Sequence, residues 1–407
     1  MLKLWITLIV AIVLALFLPY VTDAQQVSGD WQAQVQPQKD KVYLELRTGE
    51  FNHHSSWGSD RPLAELRGLD VSAALGESAD VRFEMVRDAG TISFEGHFRR
   101  GKGAGEFRFN ASPDFISGMK SLGYSGLSDR TLFSMATCDV SRAFVREMQD
   151  VGYRGVRADE LISMRIHGVN AAYVKDMQAL GLRDLTVDHL VSMRIHGVSP
   201  DYVRGMQAAG LRDLTADHLV SMRIHGVDAQ FVSEMRALGL EHPTVDNLVS
   251  MRIHGVSSDF AKEMRDMGVT QVNSDHLVSM RIHGVSPEYV KEMRGLGLDR
   301  LDSDQLVSMR IHGVSPGYVK ELRVLGISDL TTDNLVSMRI HGVSPAFVSE
   351  MKEAGYNRLT PDQLVSMRIH GVNAAFVKDM ASHGYKNLSV DDLIQMKISG
   401  RRYRGTI

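Results

Sequence analysis

One cysteine, Cys138, in 407 residues rules out an internal disulfide and leaves no thiolate set for a metal. Charge of one sign is equally scarce. The formal net charge is −3, so the whole-chain field makes no case for a polyanionic partner, and no nucleic acid is expected. No HExxH motif and no paired-cysteine spacing occurs, which removes the usual zinc-hydrolase and zinc-ribbon signatures. The glycine-rich GKGAG at Gly101–Gly105 lacks the Lys-Ser/Thr ending of a phosphate loop and runs into a strand pattern. It reads as a turn. No catalytic residue, cofactor or metal is expected, and the chain reads as a non-enzyme.

Long apolar runs are missing after the first 24 residues. Within those, Lys3 precedes the apolar run Leu4–Leu18, and Thr22-Asp23-Ala24 places small residues ahead of a cut before Gln25. Residues 1–24 read as a signal peptide; the alternative is an uncleaved anchor, which would be the one membrane contact. Both readings export the remainder to the periplasm or the extracellular space. Residues 401–407 form a short basic tail.

Repetition is what the chain has in abundance. Met135, Met164, Met193, Met222, Met251, Met280, Met309, Met338, Met367 and Met396 follow one another at a constant 29-residue interval. A fixed period in the range of about 20–50 residues marks an array in which each repeat is one supersecondary element. Here that element is a pair of helices. In SPEYVKEMRGLGL, Ser286 is an N-cap, Pro287 suits the first helical position, and Tyr289, Val290, Met293 and Leu296 form an apolar stripe. Gly297 supplies the left-handed residue that ends it. In TPDQLVSMRIHGV, Thr360 and Gln363 make a capping box, Pro361 opens the helix and Gly371 closes it. Ten such hairpins occupy residues 112–400. The outermost carry MATCDV (Met135–Val140) and MKISG (Met396–Gly400) where the others carry MRIHGV, as capping repeats do.

Residues 27–110 alternate apolar and polar positions in VRFEMVR (Val81–Arg87), TISFEGHF (Thr91–Phe98) and GEFRF (Gly105–Phe109), after an earlier hairpin pattern. The expected fold class is α+β and multidomain: a small antiparallel β-sandwich or barrel of five or six strands, then an all-α solenoid of tandem helical hairpins.

The repeated side chains carry the functional question. The methionines lie on the apolar stripes and read as packing residues, with copper ligation the alternative. On the wheel of the second helix, Leu190, Val191, Ile195 and Val198 share one side, and Ser192 and His196 the other. His167, His196, His225, His254, His283, His312, His341 and His370 therefore form a candidate exposed binding ladder. Neighbouring copies about 8–10 Å apart are too distant to share a metal with bonds of roughly 2 Å. Each histidine also sits in a last helical turn, where the macrodipole gives it a structural role.

The arginines Arg194, Arg223, Arg252, Arg281, Arg310 and Arg339 fall inside the apolar arc, where a charge must be paired or reach outward. Asp188, Asp217, Asp246, Asp275, Asp304 and Asp333 recur with the same period, six residues before them. That spacing prevents contact within one helix, so bridges between neighbouring repeats are expected; a surface row for anions is the alternative. Recognition would be tuned where the repeats differ, as at Lys291, Ser233 and Gly205. NHHSSW (Asn52–Trp57), with His97, is the one candidate metal or catalytic site of the β domain.

Taken together, repeats such as LTADHLVSMRIHGVDAQFVSEMRALGL (Leu214–Leu240) resemble the tandem helical-hairpin repeats of exported bacterial proteins. Similar repeats are appended to some membrane metallopeptidases of the beta-lactam-sensor type, whose zinc motif and multiple membrane spans this chain lacks. The resemblance implies a bacterial envelope setting. The expected function is a protein–protein interaction scaffold whose partner is another protein or an envelope component. The alternatives are an envelope sensor working with a membrane peptidase, and a metal-binding or catalytic β-module.

Overall fold

The computed structural model describes residues 27–48, 55–240, 243–270 and 272–399, so the leader and tail readings lie outside the described residues. The chain divides into two compact units, Met1–Pro200 and Asp201–Ile407.

The first unit begins with six strands: β1 (Ser28–Gln36), β2 (Lys41–Thr48), β3 (Ser55–Pro62), β4 (Ala79–Arg87), β5 (Gly90–Arg99) and β6 (Lys102–Ala111). They form one antiparallel sheet in the order β3-β2-β1-β6-β5-β4, two meanders joined where β1 pairs with β6. The expected α+β order is present, and the β part is an open sheet, neither sandwiched nor closed. Alternation along a strand shows only that one face is covered. Here the cover is helical: the short helix Val71–Leu75 and the helix Asp129–Thr137 of the first hairpin pack on the sheet.

The inner face holds Trp31, Leu44, Phe83, Phe94, Phe98 and Phe107, all buried. Trp31 lies over the paired Gly96 and Gly105, where any β-carbon would stand under 3 Å from its indole. Its Nε1 donates to the Glu95 carbonyl at 3.1 Å. GKGAG is only partly the turn expected: Arg100 and Gly101, both at positive φ, make the tight hairpin, and Lys102–Gly105 already belong to β6. Phe133 stacks on Phe107 with ring centres 5.4 Å apart, which seats the first hairpin on the sheet. Arg142, at the start of the next helix, donates to Asp88 and Asp114, each at 2.7 Å.

Six helices follow in this unit, from Pro113–Ser121 to Val187–Ile195, and fourteen more run from Pro200–Ala208 to Val390–Ser399. Caps set their ends. The Ser286 hydroxyl accepts from the Tyr289 N–H, and Thr360 and Gln363 form the capping box. Gly297 and Gly371 take left-handed φ of +77° and +69°. Within each compact unit, first helices pack on first helices and second helices on second helices. Leu190, Met193, Leu306 and Met309 are fully buried between them.

Candidate functional site

The second helix is only nine residues long, so MRIHGV falls at its end and on the turn that follows. In the repeat with helices Pro287–Gly295 and Ser303–Ile311, Met309 points into the core and Gly313 takes a φ of +70°. Arg310 lies over the Tyr289 ring, 5.0 Å from its centre. Its Nε reaches the His283 carbonyl, the end of the preceding second helix, across a long 3.4 Å contact. The Tyr289 hydroxyl donates to the Val314 carbonyl at 2.8 Å. One arginine thus stacks within its own hairpin and touches the hairpin before it.

The stack recurs throughout. Arg194 lies over Tyr173, Arg223 over Tyr202, Arg252 over Phe231, Arg281 over Phe260, and Arg339 over Tyr318. The bridges expected from these arginines to Asp188, Asp217, Asp246, Asp275, Asp304 and Asp333 are not formed. Among the described residues, the acids that do meet a repeat arginine are Asp139, paired with Arg165, and Asp228, 3.9 Å from Arg252. The reason is direction. Second helices stack parallel and in register, so an aspartate at one N-terminus meets its neighbour's N-terminus. Asn247 reaches Asp275 at 3.3 Å, and His276 stands 3.7 Å from Asp304. The arginine lies about 9 Å further along the axis, and Arg194, Arg310 and Arg339 there reach a C-terminal carbonyl instead.

Buried tyrosine hydroxyls belong to the same girdle. Desolvation pushes the phenols of Tyr173, Tyr289 and Tyr318 up to about 12. A second girdle joins the first helices, and the sequence reading missed it. Arg236 donates to the Ala209 carbonyl at 2.7 Å and Lys352 to the Leu325 carbonyl at 3.0 Å. Gln149 does the same to Leu122 at 3.0 Å. The signal was a side-chain donor directly after the buried first-helix methionine in most repeats.

His196, His225, His254, His283, His312 and His341 are exposed at the helix C-caps, and His167 and His370 are half-buried. The isoleucine is a correction. Grouped with the packing residues on the wheel, it is instead 54–58% exposed in every repeat from Ile166 to Ile369. The core direction is fixed by Leu190 and Met193; Ile195 points the same way as Asp188, seven residues earlier, because seven residues make nearly two turns. Each of the eight inner repeats therefore presents an isoleucine beside an arginine and a histidine.

Other candidates hold less. Gly313-Val314-Ser315-Pro316-Gly317 spells the GxSxG of serine hydrolases. Ser315, however, caps a helix, accepting from the Tyr318 N–H, and no strand precedes it as a nucleophile elbow requires. Asn52 and its two neighbouring histidines lie outside the described residues. His97 is hydrogen-bonded through both ring nitrogens, to Ser78 and Asp80, each at 2.9 Å. Among the described residues no three His, Cys, Asp or Glu side chains gather as a metal would need. A depression of about 750 Å³ on the sheet's outer face includes Arg82 and Glu95, paired with each other at 2.6 Å. Burial raises the Cys138 thiol, the reverse of activation. No protein-family model and no curated protein matches the chain.

Proposed function

We propose that this chain is a non-enzymatic interaction scaffold, exported to the bacterial envelope, that holds protein partners on the isoleucine–histidine row of its second helices. The observation that carries the reading is the exposure of the same isoleucine in repeat after repeat. A lone exposed apolar side chain needs no explanation, but a periodic row of them is the mark of an interaction surface. Arrays of this kind serve by presenting such extended surfaces.

The test is capture from envelope extracts by the full chain, compared with a variant carrying Ile253→Gln, Ile282→Gln, Ile311→Gln and Ile340→Gln. One dominant partner, retained by the wild type and lost by the variant, is the expected result. Equal retention by both would show that the row is not the contact face.

A further inference from the structure

We propose that the occupant of this row is a second copy of the same chain, paired face to face about a two-fold axis running along the row. The proposal rests on reading the row as an interaction face and names its partner. It concerns the compact unit Asp201–Ile407, which contains seven second helices, from Ala216–Ile224 to Val390–Ser399.

The outward stripe of each of these helices has a fixed order. In the helix Ser303–Ile311, Asp304 is exposed at the N-terminal end, Val307 and Ser308 are half-buried in the middle, and Ile311 is exposed at the C-terminal end. Arg310 and His312 flank that isoleucine and are exposed as well. Because the second helices lie parallel and in register, like residues form rows. An acidic row lies along one margin, and a basic row with isoleucines lies along the other, about 10 Å away.

In charge, this layout is self-complementary in one orientation only. A two-fold axis along the rows exchanges the two margins, so the aspartates of one copy face the arginines and isoleucines of the other, twice over. A two-fold axis across the rows would set aspartate against aspartate. Symmetric pairing through one shared patch is the commonest form of protein self-association. The aspartates are available for it, since intramolecular bridges to the repeat arginines do not form. Asp304, for example, meets only the His276 ring, at 3.7 Å, and keeps a side-chain exposure of 76%.

Spacing selects the same partner. A surface with one contact set per repeat is matched along its whole length only by a ligand with the same pitch, and a second copy has that pitch by construction. Seven repeats, each offering an aspartate, an isoleucine and an arginine or lysine, approach the roughly 20–30 residues a side of a stable interface.

The test uses the full chain co-produced with two different affinity tags, together with sedimentation of the purified protein. The expected result is retrieval of one tagged copy by the other and a dimer at micromolar concentration. The four isoleucine-to-glutamine changes should weaken the dimer at least tenfold with helical content unchanged. A second variant, with Asp246→Asn, Asp275→Asn, Asp304→Asn and Asp333→Asn, should weaken it similarly, and so should 0.5 M salt, which screens exposed charge. A monomer at 50 µM, or a dimer indifferent to both variants, overturns the proposal. If the chain is monomeric yet the isoleucine variant still loses an envelope partner, only the second-copy inference fails. If that variant loses nothing, the scaffold reading fails with it.

Discussion

The guanidinium carbon of Arg252 lies 4.2 Å from the centre of the Phe231 ring, and one terminal nitrogen stands 3.9 Å from Asp228. Ring, acid and arginine belong to one hairpin. The stack holds the end of the second helix against the first, so Arg252→Ala should loosen both, at a cost of about 1–2 kcal/mol. Arg252→Lys should recover less than half of that, because an ammonium lacks the flat face that lies on the ring. Amide hydrogen exchange across residues 228–256 reports the change; undiminished protection in the alanine variant would count against a structural role for the row.

Alkaline pH should act on the tyrosines. The phenols of Tyr173, Tyr289 and Tyr318 are pushed up to about 12 in the folded chain, against about 10 when unfolded. With the folded value the higher one, their contribution to stability is whole below pH 10 and falls as pH climbs towards 12. Replacing Tyr289 and Tyr318 by phenylalanine should cost about 0.5–1.5 kcal/mol each at neutral pH and move the alkaline unfolding midpoint upward. An unmoved midpoint would place the alkaline transition elsewhere.

Two glycines of similar backbone angle should respond differently to alanine. Gly313 has a φ of +70°, and a β-carbon there would lie 3.0 Å from Nη2 of Arg339; Gly326 has a φ of +74° and open space. Gly326→Ala should cost about 1 kcal/mol of backbone strain. Gly313→Ala should cost more, since it also displaces the arginine of the next repeat. Thermal melting of the two variants makes the comparison, and equal losses would mean that Arg339 contributes little.

Much of the architecture was legible in the residues. The 29-residue period, the caps at Ser286 and Thr360 and the left-handed glycines state where helices begin and end, because those effects are local. What sequence could not convey was how neighbours align. The bridges from Arg310 to an aspartate assumed that residues six apart come level between repeats; parallel, in-register stacking keeps them at opposite ends. The exposure of Ile195 was missed for a related reason. A nine-residue helix has too few turns for a broad apolar arc, and its core side is settled by Leu190 and Met193 alone. The open form of the sheet was hidden because alternation looks the same whether helices or a second sheet cover the inner face.

Within a compact unit, the contacts joining one repeat to the next draw on the same few atoms: an arginine nitrogen against a terminal carbonyl, as at Arg310 and Arg339, and methionines in the core. A segment of 29 residues can therefore be duplicated or deleted without creating any junction the protein does not already contain. The length of the array is thus open to change in whole steps of one repeat. Extent of surface is then a quantity that evolution can adjust independently of its chemistry.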